Sequence, residues 1–191
     1  MRRTLLALVL ATVLAATAGR AGAAGGSYAF DGGTARQRAT VRAALDASSF
    51  PWSAVPATIV VHIAPGLPSE ASRGEIWLDG SLLDAGVFSW AIVQHEYAHQ
   101  VDFFLLDDAA RAVLAAGLGG ASWWASEGMT HAAATSERFA STLAWAYWPS
   151  PRNALRPRSR ADEAGAMAPA PFRSLLSRLL SQLPEGTKRT G

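Results

Sequence analysis

The stretch from Val87 to Leu106 is mostly apolar and holds neither proline nor glycine, yet it carries His95, Glu96 and His99 at its middle. A run of this length and pattern reads as a helix. Its flanks, Trp90-Ala91-Ile92-Val93 before and Val101-Asp102-Phe103-Phe104-Leu105 after, require that helix to be buried. Burying a polar group without a partner costs roughly 2–7 kcal/mol. The fold must therefore give the two imidazoles and the carboxylate something to bind.

His95 and His99 lie one helical turn apart, so both rings project from the same face. Two such imidazoles supply two of the three protein ligands of a catalytic zinc site. Glu96, next to the first, is placed to take a proton from a water at that ion. The chain has no cysteine, which excludes disulfides and thiolate zinc sites. A metal must rest on His, Asp and Glu. The cofactor expected is Zn2+, and the chemistry expected is hydrolysis. The bare H-E-x-x-H pattern is only moderately specific, and the competing reading is a core helix that holds two histidines by coincidence. There is no G-x-S-x-G elbow and no glycine-rich phosphate loop.

A third ligand has to come from elsewhere. Positions 102 and 105 are Asp102 and Leu105, where an extended metzincin pattern needs glycine and histidine, so that pattern is excluded. The downstream candidates are Glu127, His131 and Glu137. Glu137 is favoured by its place at the start of an amphipathic segment among Phe139, Ala140, Leu143 and Ala144; the competing role for an acid in a first helical turn is capping. Asp102, one turn past His99, is either a hydrogen-bond acceptor for a ligand imidazole or a surface acid. His62 reads as a packed or surface histidine rather than a ligand, and Trp77 as a candidate cleft wall.

His95-Glu96-Tyr97-Ala98-His99-Gln100-Val101-Asp102 resembles the H-E-F-G-H-x-V-D helix of gluzincin peptidases of the anthrax lethal factor type. In that family the third zinc ligand is the first Glu of a later E-x-F-A helix. Glu137-Arg138-Phe139-Ala140 matches that motif, 38 residues after His99. The resemblance spans roughly residues 86–148. It implies a zincin-like domain, zinc on His95, His99 and Glu137, Glu96 as general base, and a peptide or protein substrate. Two departures stand out. Ser141 occupies a place where the family often has a second acid. Thr130 and His131 stand where the family has a tyrosine that assists the oxyanion; His131 is then either that donor or an exposed loop histidine.

The rest of the chain reads as α+β: a small mixed sheet packed on the active-site helix, then a mainly helical C-terminal part. A helix over 34–48 capped by Thr34, strands over 57–63 and 74–80, and helices over 87–106 and 107–117 are expected. A further helix capped by Thr135 or Ser136 runs to about Trp148, and a last one spans 172–183. Gly25, Gly26, Gly32 and Gly33 suggest a loose segment. An exposed strand edge near Trp77 offers main-chain pairing to an extended peptide.

Residues 1–23 read as a signal peptide, with Arg2 and Arg3, an apolar run Leu5–Ala18, and Ala21-Gly22-Ala23 as cleavage site. The run is shorter than the roughly 20 residues of a membrane span; an uncleaved N-terminal anchor is the alternative. A secreted or extracytoplasmic protein without a membrane span in its mature form follows. Without Arg2, Arg3 and Arg20, 17 basic residues become 14 against 15 acidic ones, which gives no case for nucleic-acid binding. The expected organisation is a catalytic domain over 24–149 and a basic Pro/Arg-rich linker with an amphipathic helix over 150–191. A non-catalytic exported module that keeps the scaffold for binding is the rival reading.

Overall fold

Thr34 marks the first switch from strand to helix. Its hydroxyl accepts from the Gln37 backbone N–H at 3.2 Å, and the Gln37 side chain accepts from the Thr34 N–H at 2.9 Å. This reciprocal box closes the start of α1 (Ala35–Ala47). The computed structural model describes residues 26–182. The expected signal segment, and the end of the last expected helix beyond residue 182, lie outside the described residues.

Four strands follow the expectation of a small mixed sheet: β1 (Tyr28–Gly32), β2 (Ile59–Ala64), β3 (Glu70–Ser72) and β4 (Glu75–Asp79), in the order β1-β2-β4-β3. β2 pairs in parallel with β1 and β4, and β3 pairs antiparallel with β4. β1 corrects the expected loose segment. Tyr28-Ala29-Phe30 is too short to stand out between glycines, but it pairs in register with Ile59, Val60 and Val61. Gly32 and Gly33, at φ 78° and 68°, then turn the chain away from the sheet.

The sheet has a period of two. Ile59, Val61 and Ile63 of β2 and Ile76 and Leu78 of β4 are buried. They share one core with Val41 and Leu45 of α1. His62 points the other way. It stacks on Trp77 with ring centroids 5.2 Å apart and lies 2.8 Å from Asp31. Trp77 is therefore a partner of His62 on the outer face rather than a cleft wall, and its strand, paired on both sides, offers no free edge; that edge belongs to β3.

After α2 (Gly80–Leu83) and a 3-10 turn over Gly86–Ser89 comes α3 (Trp90–Leu105). Nearly every residue from Ala91 to Asp102 is buried. Its two glutamines fix it to its neighbours. Gln94 donates to the Ala44 carbonyl of α1 at 2.7 Å. Gln100 accepts from Gly74 N–H at 2.8 Å and donates to the carbonyls of Ser72 and Glu75. The β3–β4 hairpin is thus held directly against the helix that carries the histidines.

α4 (Asp108–Leu118) is capped by Asp107, whose side chain accepts from Ala110 N–H, and it ends at Gly119 with φ 72°. α5 (Thr135–Tyr147) starts at Thr135 itself, with Ala134 in the cap position. Thr135 and Ser136 lie inside it because the preceding loop does the capping: their N–H groups donate to the carbonyls of Ser122 and Trp123 at 2.8 and 2.9 Å.

Residues 150–170, expected as a surface linker, include a turn packed on α5 and the first residues of the last helix. Asn153 is buried and donates to the carbonyls of Ala144 and Trp148. Ala164 is buried in a 3-10 turn over Glu163–Gly165. α6 (Pro169–Ser181) begins with a proline in its first turn and seats Phe172 5.9 Å from Phe139 of α5. The tail is part of the domain because Phe172 and Leu176 complete its core. Among the described residues, no helix is long and apolar enough to cross a membrane.

Candidate metal centre

α3 and α5 pack side by side, and their facing surfaces meet at three side-chain atoms. His95 Nε2 and His99 Nε2 are 3.2 Å apart. Glu137 Oε2 lies 3.1 Å from the first and 3.4 Å from the second. A tetrahedral zinc with bonds of about 2.0–2.1 Å separates its ligand atoms by about 3.3 Å. The three atoms already form a triangle of that size. The Glu96 carboxylate lies beside it, with its oxygen within 4.8 Å of both imidazole nitrogens. The residues present fit a zinc ion.

Of the three candidates for third ligand, two come to the site and one does not. Glu137 sits at the convergence point because α5 places it in its first turn, facing α3. Glu127 is exposed in a turn of the 119–130 loop and takes no part. His131, in a 3-10 turn over His131–Ala133, approaches from outside. Its Nε2 is 2.9 Å from Glu137 Oε2, and its ring stacks on that of His95 at 5.9 Å. The His131 ring is 64% exposed, so it sits at the mouth of the site rather than beneath it.

Glu163 completes the arrangement and was not foreseen. Its Oε2 accepts from the Ser141 hydroxyl at 2.9 Å, and Ser141 Oγ lies 3.0 Å from His95 Nδ1. Its Oε1 lies 2.8 Å from His131 Nδ1. Ser141 thus bridges His95 to an acid 22 residues further along the chain. The only hint in the sequence was the serine itself, since the Pro/Arg-rich surroundings of Glu163 carry no periodic signal.

Asp102 fits neither expected role. It is fully buried, but it accepts from Arg111 Nε at 2.8 Å and from Trp123 Nε1 at 2.9 Å. It pins the 119–130 loop to α3 rather than orienting an imidazole. Burial raises its carboxyl above the usual value, against the opposing pull of Arg111 and Trp123.

The site is electrostatically divided. Burial raises the Glu96 carboxyl, with His95 and His99 opposing. Burial also acts to raise Glu137, but hydrogen bonds from His131, His95 and His99 outweigh it and hold that carboxyl well below the usual range. His99 is raised: burial alone would lower it, and the adjoining Glu137 more than reverses this. Hydrogen bonds to Glu137 and Glu163 raise His131 to about 10. The two neighbouring carboxylates thus sit in opposite environments, one raised and the other lowered.

The centre opens into a cleft of about 460 Å³. One rim is Ser69, Glu70 and Ala71, at the unpaired edge of β3. The opposite wall is aromatic: Phe103 and Trp124 stack at 5.8 Å, with Arg111 over the Trp124 ring at 5.1 Å. A larger hollow of about 520 Å³ lies between Trp145, Arg158 and Met167. It is lined by no imidazole or carboxylate and carries no comparable chemistry.

No family model matches the chain, and neither a curated protein nor a solved structure matches it. The functional reading therefore rests on the side chains themselves.

Proposed function

We propose that this chain is an exported zinc metallopeptidase of the gluzincin type, hydrolysing peptide bonds in proteins or peptides. The observation that carries this is the meeting of His95 Nε2, His99 Nε2 and Glu137 Oε2 at 3.1 to 3.4 Å beside Glu96. Export rests on the Arg2-Arg3 start, the apolar run and the small-residue site that follows.

His95, His99 and Glu137 would hold the ion. Zinc, when bound, acidifies water and polarises the scissile carbonyl. An extended peptide pairs along the free edge of β3, with a side chain against Phe103 and Trp124. Glu96 takes a proton from water as the oxygen attacks the carbonyl carbon. It then passes that proton to the departing amine nitrogen, so the C–N bond breaks, one water is consumed and the carboxylate is restored. His131, at the mouth, donates from Nε2 to the oxygen on which charge develops.

Digestion of a peptide library by the purified mature chain tests this. Cleavage is expected with zinc, loss on chelation, and recovery when zinc is returned. A zinc-loaded protein that cleaves nothing sinks the peptidase reading.

A second reading has one observation in its favour. His131 Nε2 is close enough to Glu137 to join His95 in a ligand set, which would close the ion off and leave a binding module. His131→Phe separates the two. As a donor, its loss is expected to lower kcat by about 10²–10³-fold with KM and zinc affinity little changed. As a fourth ligand, its loss weakens zinc binding.

A further inference from the structure

We infer that Glu163 is a positioning residue that sets two histidines at once: the zinc ligand His95 through Ser141, and the mouth histidine His131 directly. The inference rests on the metal reading above.

The geometry assigns the protons. Glu163 as a carboxylate only accepts. The Ser141 hydroxyl has one hydrogen, and at 2.9 Å it donates to Glu163 Oε2. The serine oxygen is then left as an acceptor, so the contact of 3.0 Å to His95 Nδ1 must be donated by the imidazole. His95 is thereby held with its hydrogen on Nδ1, which leaves Nε2, facing His99 and Glu137, as the nitrogen that would take the ion. An alanine at 163 removes the acceptor that orients the serine. The hydroxyl is then free to donate to Nδ1, which favours the wrong tautomer for metal binding.

The other oxygen acts separately. Glu163 Oε1 accepts from His131 Nδ1 at 2.8 Å, which fixes the plane of an otherwise exposed ring and holds its Nε2 at the mouth, 2.9 Å from Glu137 Oε2. The carboxylate itself is held by its backbone. Thr142 Oγ1 donates to the Glu163 carbonyl at 3.2 Å, and the turn that carries Glu163 packs on α5. One acid on a well-packed turn therefore ties a ligand on α3, a serine on α5 and a histidine in the loop between them.

Three variants test this in the full mature chain: Glu163→Gln, Glu163→Ala and Ser141→Ala, with the Ser141→Ala/Glu163→Ala double. Zinc affinity is read by competition with a chromophoric chelator, and cobalt substitution reports ligand geometry in the visible spectrum. Loss of a residue that orients a ligand is expected to weaken zinc by about 10–100-fold and to shift the cobalt bands. Because the serine and the acid act in series on His95, the double variant is expected to bind zinc about as weakly as either single one. Turnover separates the second arm: Glu163→Ala loses kcat beyond what Ser141→Ala loses, because only the former frees His131. Glu163→Gln keeps the shape, so its melting temperature guards against simple unfolding.

Glu163→Ala that binds zinc as wild type does and gives the wild-type cobalt spectrum overturns the inference. So do losses from Ser141→Ala and Glu163→Ala that simply add. A wild-type chain that takes up no zinc overturns the metal reading beneath it. Zinc-binding effects without peptide cleavage leave the inference standing and remove only the peptidase.

Discussion

Glu96→Ala is expected to retain zinc at full stoichiometry and to lose about 10²–10⁴-fold in kcat. The first half follows from the ligand triangle, which His95, His99 and Glu137 complete without Glu96. The second follows from placement. Glu96 is the carboxylate beside that triangle with nothing else to hold, and burial raises its affinity for a proton. KM is expected to move little, because the proposed grip on the peptide is the β3 edge and the aromatic wall, not Glu96. The measurement is steady-state kinetics on one cleaved library peptide, paired with metal analysis of the same protein. A variant that turns over like wild type assigns the base elsewhere. A variant that loses its zinc makes Glu96 a ligand.

Glu137→Ala is expected to have the larger effect, because metal and turnover go together. Zinc sites with four protein ligands bind with about 10–16 kcal/mol, or roughly 3 kcal/mol per ligand. Loss of one carboxylate then weakens zinc by about 10²-fold or more, and activity falls to background once the ion is dialysed away. The apoprotein is expected to stay folded, because Phe139, Ala140 and Leu143 anchor α5 without help from Glu137. Glu127→Ala, in its exposed turn, is the control and is expected to bind zinc as wild type does. The reverse pattern, with zinc lost in Glu127→Ala alone, reassigns the third ligand.

The helices that carry the site were legible because their signals are local. An apolar run without breakers located α3, and the spacing of His95 and His99 set their common face. Glu137 was legible for a similar reason: an acid at the head of an apolar stripe has few roles. What escaped depended on contacts between distant segments. β1 is recognisable only through its partner β2, since five residues between glycines hold no pattern of their own. The start of α5 shifted because backbone carbonyls at Ser122 and Trp123 replaced the expected side-chain cap. Glu163 escaped for the most general reason. Nothing in its neighbourhood is periodic, and its partners are 22 and 32 residues away in the chain.

Chemistry and shape reside on different parts of this molecule. The converging atoms of His95, His99 and Glu137 sit on two packed helices, whereas Trp124 projects from a connection whose anchors are Asp102, Arg111 and the carbonyls of Ser122 and Trp123. A change at the tip of that connection can reshape what the groove admits while the reacting groups stay in register. On the peptidase reading proposed above, substitutions along that one stretch would alter which peptides fit without touching His95, Glu96 and His99 on α3 or Glu137 on α5.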